Sequence, residues 1–207
     1  MPQLYACAGD YANATITPAS DSLCYLNPGA VARIALANRA GTTPFAGTGE
    51  TDIKTSAAWA TAIADEDDDR VILLPLHENF ELPQTTTNSR ELASPVRRSI
   101  KKKGNPITVN LKIPVTSLTD ADNLRKLSGL SQPYLPVSNL LVYFLTENDM
   151  IWYGASFKGI PIYNFMVDDP MQAEDTLLVP ISFELEYGWS KGTTLVQAGF
   201  EVMKLAA

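Results

Sequence analysis

Apolar and polar residues alternate along most of this chain with a period of two, the spacing of a strand that buries one face and wets the other. The clearest case lies between Asp175 and Gly188, where Leu177, Val179, Ile181, Phe183, Leu185 and Tyr187 are apolar and Thr176, Ser182, Glu184 and Glu186 lie between them. The same alternation runs through Ile107, Val109, Leu111 and Ile113, with Thr108, Asn110 and Lys112 on the other face. Pro180 falls on the polar side of its strand and has no N–H for a ladder, so an edge position or a bulge is expected there. Leu140 to Leu145 and Met150 to Tyr153 flank Thr146-Glu147-Asn148-Asp149, which reads as a hairpin with a polar turn. The first of these strands is apolar on both faces and is expected to lie between two packed layers. Val31 to Ala37 is a further strand candidate, and Val196, Ala198, Phe200 and Val202 predict a last strand running nearly to residue 207.

Two segments follow a helical period instead. Thr51 and Asp52 cap a stretch in which Ile53, Ala57, Ala60 and Ile63 or Ala64 recur at helical spacing, with Trp59 alongside, ending at the acidic run. Thr119 or Asp120 caps a second stretch, in which Ala121, Leu124 and Leu127 share a face, Asp122 sits early, Arg125 and Lys126 sit late, and Gly129 follows. Charges of those signs suit the two ends of a helix dipole. The pattern predicts a mainly β fold with minor α: a β-sandwich or rolled antiparallel sheet with one or two short flanking helices. From it we expect residues 1–207 to form a single β-rich domain, with Leu111, Leu124, Val142, Phe144, Ile181 and Phe183 in its core.

Between His77 and Asn105 the alternation gives way to a long polar excursion. It contains Gln84-Thr85-Thr86-Thr87-Asn88-Ser89-Arg90 and Pro95-Val96-Arg97-Arg98-Ser99-Ile100-Lys101-Lys102-Lys103-Gly104, punctuated by Phe80, Leu82, Leu92, Val96 and Ile100. Such a long stretch inside a compact fold points to function. We expect an assembly arm that a neighbouring copy orders, because this composition buries too little apolar surface to offset its own ordering entropy.

Composition sharpens that expectation. Charged residues make up 19% of the chain, below the usual ~25%, so part of the surface is expected to lie against another subunit. The net charge of −7 argues against a broad nucleic-acid surface, where phosphate neutralisation supplies most of the affinity. No signal-peptide pattern opens the sequence and no apolar run approaches the ~20 residues of a membrane span, so synthesis in cytoplasm and no membrane partner are expected. Cys7 and Cys24 read as reduced buried thiols, and Asn13-Ala14-Thr15 as a chance sequon.

Candidate chemistry is sparse. His77 is the one histidine and reads as a loop residue rather than a catalytic base. Asp65, Glu66, Asp67, Asp68 and Asp69 lack the ligand alternation and central glycine of a calcium loop. Ala46-Gly47-Thr48-Gly49-Glu50 lacks the lysine and hydroxyl residue of a phosphate loop. Glu184 and Glu186 share a strand face, as acid–base partners or as the wet side of a half-buried strand. Arg97, Arg98, Lys101, Lys102 and Lys103 form a basic cluster open to three readings: a solvated loop, a nucleic-acid contact, or the partner of an acidic patch on a neighbour. We take these five with Asp65 to Asp69 as a candidate assembly interface, and expect no catalytic, cofactor-binding or metal residue.

The run from Ile107 to Ile113, the helix Asp120 to Ser128, the hairpin Leu140 to Tyr153, Phe157-Lys158-Gly159-Ile160-Pro161 and the strand Leu177 to Tyr187 together resemble bacteriophage tail-tube proteins and related ring-forming virion subunits. The opening, with Cys7, Cys24, Asn27-Pro28-Gly29 and Val31-Ala32-Arg33-Ile34, is similar to the amino termini of phage structural proteins. The resemblance implies a non-enzymatic subunit that stacks with copies of itself into rings, contacts other virion proteins, and surrounds a channel that DNA crosses without specific binding. Neck, terminator, baseplate-hub and capsid-associated subunits share such folds. A virion-surface carbohydrate-binding module is the alternative from another class, with Trp152, Tyr153 and Trp189 as its candidate aromatic residues; an enzyme built on Glu184 and Glu186 is a third.

Overall fold

The computed structural model describes residues 29–39, 45, 50–67, 69–76, 106–128, 139–173, 176–186 and 188–205. The fold is mainly β with minor α, built on one curled antiparallel sheet. Its strands are β1 (Val31–Asn38), β2 (Val71–Leu73), β3 (Ile107–Val115), β4 (Leu140–Thr146), β5 (Met150–Tyr153), β6 (Ile160–Val167), β7 (Met171–Ala173), β8 (Thr176–Leu185) and β9 (Thr194–Gln197). Three helices accompany them: α1 (Glu50–Ile53), α2 (Ser56–Ala64) and α3 (Leu118–Ser128).

The sheet runs β2-β1-β4-β6-β8-β3, with β5 between β4 and β9, and β7 on β8. Strand β6 makes the curl. Its start pairs with β4, Ile160 opposite Val142, and the rest pairs with β8, Ile162 opposite Leu185. A register shift between Tyr163 and Met166, with Asn164 at a φ of 49°, bends the strand between the two partners. Bulges of this kind add local twist and let one strand turn a corner between layers. The β3-β8-β6 wing therefore folds over one face of β1 and β4.

Strand β4 is buried along its whole length, because each of its faces meets a different core. Val142 and Phe144 join Ile34, Leu111, Ile181 and Phe183 between the two wings. Leu141, Tyr143 and Leu145 face the other way, onto Phe45, Trp59, Ile63, Val202 and Leu205. All six residues expected in the core are buried. The expected hairpin is also present: Leu145 opposes Ile151, the Met150 amide donates to the Thr146 hydroxyl, and Asp149 takes a left-handed φ of 56°.

Four local expectations need correction. Pro180 is in a central strand, not at an edge or bulge, with β3 on one side and Asp168 donating to its carbonyl on the other. A residue's N and C=O point to the same side of an antiparallel strand. The missing donor thus faces the break between β6 and β7, where it costs no ladder bond. The first helix is interrupted at Lys54-Thr55, and Thr51 and Asp52 lie inside α1 instead of capping it; Ile53 and Ile63 of the expected face are buried, joined by Trp59 and Ala62, whereas Ala57 and Ala60 are exposed. Trp59 sets that orientation by donating its indole N–H to the Ile53 carbonyl and packing against Phe45 and Tyr143. The cap of α3 is Ser117, not Thr119 or Asp120: the Asp120 amide donates to the Ser117 hydroxyl, while the Ser117 amide donates back to the Asp120 carboxylate. That reciprocal pair is a capping box.

The last strand stops at Gln197, and Val202 lies in a 3-10 turn, Val202–Lys204. The amide of Ala198 donates to the Asp149 carbonyl, that of Gly199 to the Lys54 carbonyl, and that of Val202 to the Asp149 carboxylate. These bonds pull the chain off the sheet and across the second core. Buried Arg33 reaches the same region, donating to the carbonyls of Leu74 and Leu205. No helix among the described residues is long and apolar enough to cross a membrane.

Candidate functional site

The two ends of the curled sheet, β2 and β3, do not pair with each other, and among the described residues no strand occupies the open edge of either. Between them lies a groove of about 860 Å³. One wall is Ile72 to Pro75 at the end of β2, and the other is Ile113 to Thr116 at the end of β3, with Leu177 of β8 beside it. Helix α3 contributes Asp120, Asn123, Leu124 and Leu127. Ridges of apolar side chains and unpaired strand edges together make a surface that takes up extended chain.

Sequence places these parts for local reasons. The alternation of β3 carries Ile113 inward and leaves Val115 half-buried at the strand end. The Ser117 capping box then starts α3 at once, which turns Leu124 into the core and leaves Leu127 half-exposed above the groove. The rim is apolar: Leu76 follows Pro75 in the wall and is 44% exposed, and Leu118, between Thr116 and Asp120, is 65% exposed. Asp120 is the one carboxylate among the groove's lining residues. Hydrogen bonds from the Thr116 and Ser117 side chains, then from the backbone, hold its carboxyl below the usual carboxylate range, so it is ionised at neutral pH.

Of the candidate interface residues, Asp65, Glu66, Asp67 and Asp69 lie in the connection from α2 to β2. There the Asp65 carboxylate accepts from the Asp67 amide and the Asp67 carbonyl from the Arg70 amide, forming a solvent-facing turn. Asp69 is three residues before Ile72, about 10 Å of extended chain from the groove wall. Asp68, Arg97, Arg98, Lys101, Lys102 and Lys103 lie outside the described residues. So do Cys7, Cys24, His77, Gly47, Gly49, Tyr187, Gly129 and the excursion from His77 to Asn105 as a whole.

The other candidates have defined surroundings. Glu184 accepts a 2.7 Å hydrogen bond from Asn164, tying the β6 bulge to β8, while Glu186 is exposed at the end of the strand. Tyr153 is buried against Phe157. Trp152 packs edge-on against Trp189, which meets Phe144 in the first core. The Trp152 indole N–H is buried without a hydrogen-bond partner. The aromatic residues named as a possible carbohydrate platform are thus largely spent on packing. Among the described residues, no group of three His, Cys, Asp or Glu side chains is arranged to hold a metal.

The groove itself was not anticipated from sequence, because its two walls are some forty residues apart and neither carries a motif. The usable signal was the pairing of a short apolar run, Val71 to Leu76, with an excursion that leaves directly from it. No family model matches this chain, and no curated protein or solved structure matches it.

Proposed function

We propose that this chain is a non-enzymatic structural subunit that assembles with copies of itself, of the kind found in bacteriophage tails, with a tube-type ring around a DNA channel as the arrangement. The observation that carries this reading is the apolar groove between β2 and β3, whose outer edges are unpaired among the described residues. Open edges are templates for pairing with another chain, and natural folds cover or blunt them. An edge pair with Leu76 and Leu118 exposed beside it is suited to being covered by a partner. The acidic total supports the same reading, since a wall of net negative charge offers DNA phosphates no counter-charge and lets the polymer pass.

Analytical ultracentrifugation at micromolar concentration, with negative-stain microscopy of the same sample, tests the proposal. Rings or tubes are the expected result. A strictly monomeric species across several salt and pH conditions overturns it. Monomers that bind glycans on an array turn the assignment to the surface-module alternative, and closed single rings that never stack turn it to a neck or terminator role.

A further inference from the structure

Resting on the assembly reading, we infer that the groove between β2 and β3 is a socket for one stretch of a second copy, the segment around Val96 to Lys103, added as an extended strand. Three observations favour this occupant. The first is chain length. The described chain leaves at Leu76, next to Pro75 in the groove wall, and rejoins at Pro106, with 29 residues between. An out-and-back excursion of that length reaches about 45 Å. A compact chain of this size has a radius of gyration of about 17 Å, so touching neighbours are centred about 40–45 Å apart. Val96 is ten residues before Pro106, so the named segment reaches about 33 Å from that anchor, less than this centre-to-centre spacing but enough to cross the boundary to a touching neighbour.

Charge is the second observation. Residues 77–105 hold six basic and three acidic side chains, a net of +3; against −7 for the whole chain, the remainder carries −10. The segment is therefore opposite in sign to the surface it would meet. Within it, residues 95–105 have five basic side chains and no acidic one. The groove they would enter has Asp120, held ionised, as its own charge, with Asp65 to Asp69 just upstream in sequence of its β2 wall. Complementary charge of this sort steers docking and fixes register.

Pattern is the third. Val96 and Ile100 are four residues apart, an even spacing that puts both on one face of an extended chain together with Arg98 and Lys102, while Arg97, Lys101 and Lys103 fall on the other. Val96 and Ile100 entering the groove would bring Arg98 and Lys102 in beside Asp120 and carry the other three basic side chains along its rim. Ile100 precedes Ile107 by seven residues, and the groove begins six residues beyond it at Ile113. Reaching its own groove would require the segment to double back along β3 through a turn at Gly104-Asn105-Pro106, and mixing two defective variants separates that arrangement from exchange between copies.

The test uses two defective variants of the full chain. Leu177→Lys puts a charge in the groove that repels the basic segment, with Leu127→Gln as a milder second variant in case the first fails to fold. The other variant replaces Gln84 to Lys103 by a short glycine–serine link. Circular dichroism and thermal melts establish folding, and native mass spectrometry reads association. Each variant alone should associate at least about tenfold more weakly than the parent. Mixed, they should form 1:1 heterodimers, because each supplies what the other lacks. Folded variants that give no heterodimer on mixing overturn the exchange between copies and leave the segment in its own groove. Groove variants that associate like the parent overturn the socket alone, and a parent that is monomeric throughout overturns the assembly reading with it.

Discussion

Phe183→Ala is the sharpest probe of the core between the two wings. Phe183 is 1% exposed, lies on β8 between Val109 of β3 and the β6 corner, and stacks on Phe144 with ring centroids 6.4 Å apart. Truncation removes about 120 Å² of buried apolar surface, worth about 3 kcal/mol at ~25 cal/mol/Å². Loss of the ring contact and the residual cavity add about 1 kcal/mol, for a total near 4, inside the ~3–5 kcal/mol range for buried phenylalanine. The assay is urea unfolding followed by tryptophan fluorescence. With a slope of about 2 kcal/mol/M, the midpoint should fall by about 2 M. Ser182→Ala, one residue away on the opposite face and half-buried, is the control and should cost under about 1 kcal/mol. A Phe183→Ala loss of the same size as the control would refute the inward assignment of β8 and with it the packing of the two wings.

Four further outcomes follow from other parts of the molecule. The Asp120 carboxyl is held below its ordinary range, so its contribution to stability is present above the unfolded value of ~3.9 and is lost as pH falls through the lower folded value. Asp120→Asn should accordingly flatten the acid limb of stability against pH, read from urea midpoints between pH 2 and 6. Burial pushes the Tyr143 phenol well above its ordinary value, so native stability should decline as pH rises past ~10, where the unfolded phenol ionises and the folded one does not; Tyr143→Phe should lose less between pH 8 and 11. A Cβ at Gly199 would lie 2.9 Å from the Lys54 carbonyl oxygen, so Gly199→Ala should cost about 1–3 kcal/mol by calorimetry as that backbone shifts. Assembly should weaken between 50 and 500 mM salt in sedimentation, since exposed charge pairs are screened beyond roughly 8–10 Å; salt-independent association would remove the electrostatic part of the docking argument.

Strands β3 and β8 were legible because each buries one face, and a half-buried strand writes its orientation into the sequence as alternation. Strand β4 was legible for the opposite reason, since a strand buried on both faces is apolar throughout. Strand β6 was not named as a strand: Pro161 and the bulge at Asn164 interrupt the period where the strand changes partners. Beyond Gln197 the side chains of Ala198, Phe200 and Val202 still alternate, but the backbone bonds go to Lys54 and Asp149, a choice that composition does not record. The face expected of the first helix was right at Ile53 and Ile63 but wrong at Ala57 and Ala60, because the large area buried by Trp59 turns the helix away from the two alanines. The candidate interface was legible as charge pattern, but the groove was not, because it exists only where the ends of a curled sheet meet.

Residues 198–205 are made after the segments they are bonded to or packed on: Arg33, the Lys54 carbonyl, α2 and the turn at Asp149. On a ribosome, β1 and β4 can therefore pair while one side of the second core is still uncovered. Until Leu205 emerges, the Arg33 guanidinium lacks one of its two carbonyl acceptors and is met by water instead. The final turn works as a late clasp. A nascent chain stalled short of it should retain the β3-β8 wing and expose the Trp59 side to chaperones, so synthesis itself sets the order in which the two cores close.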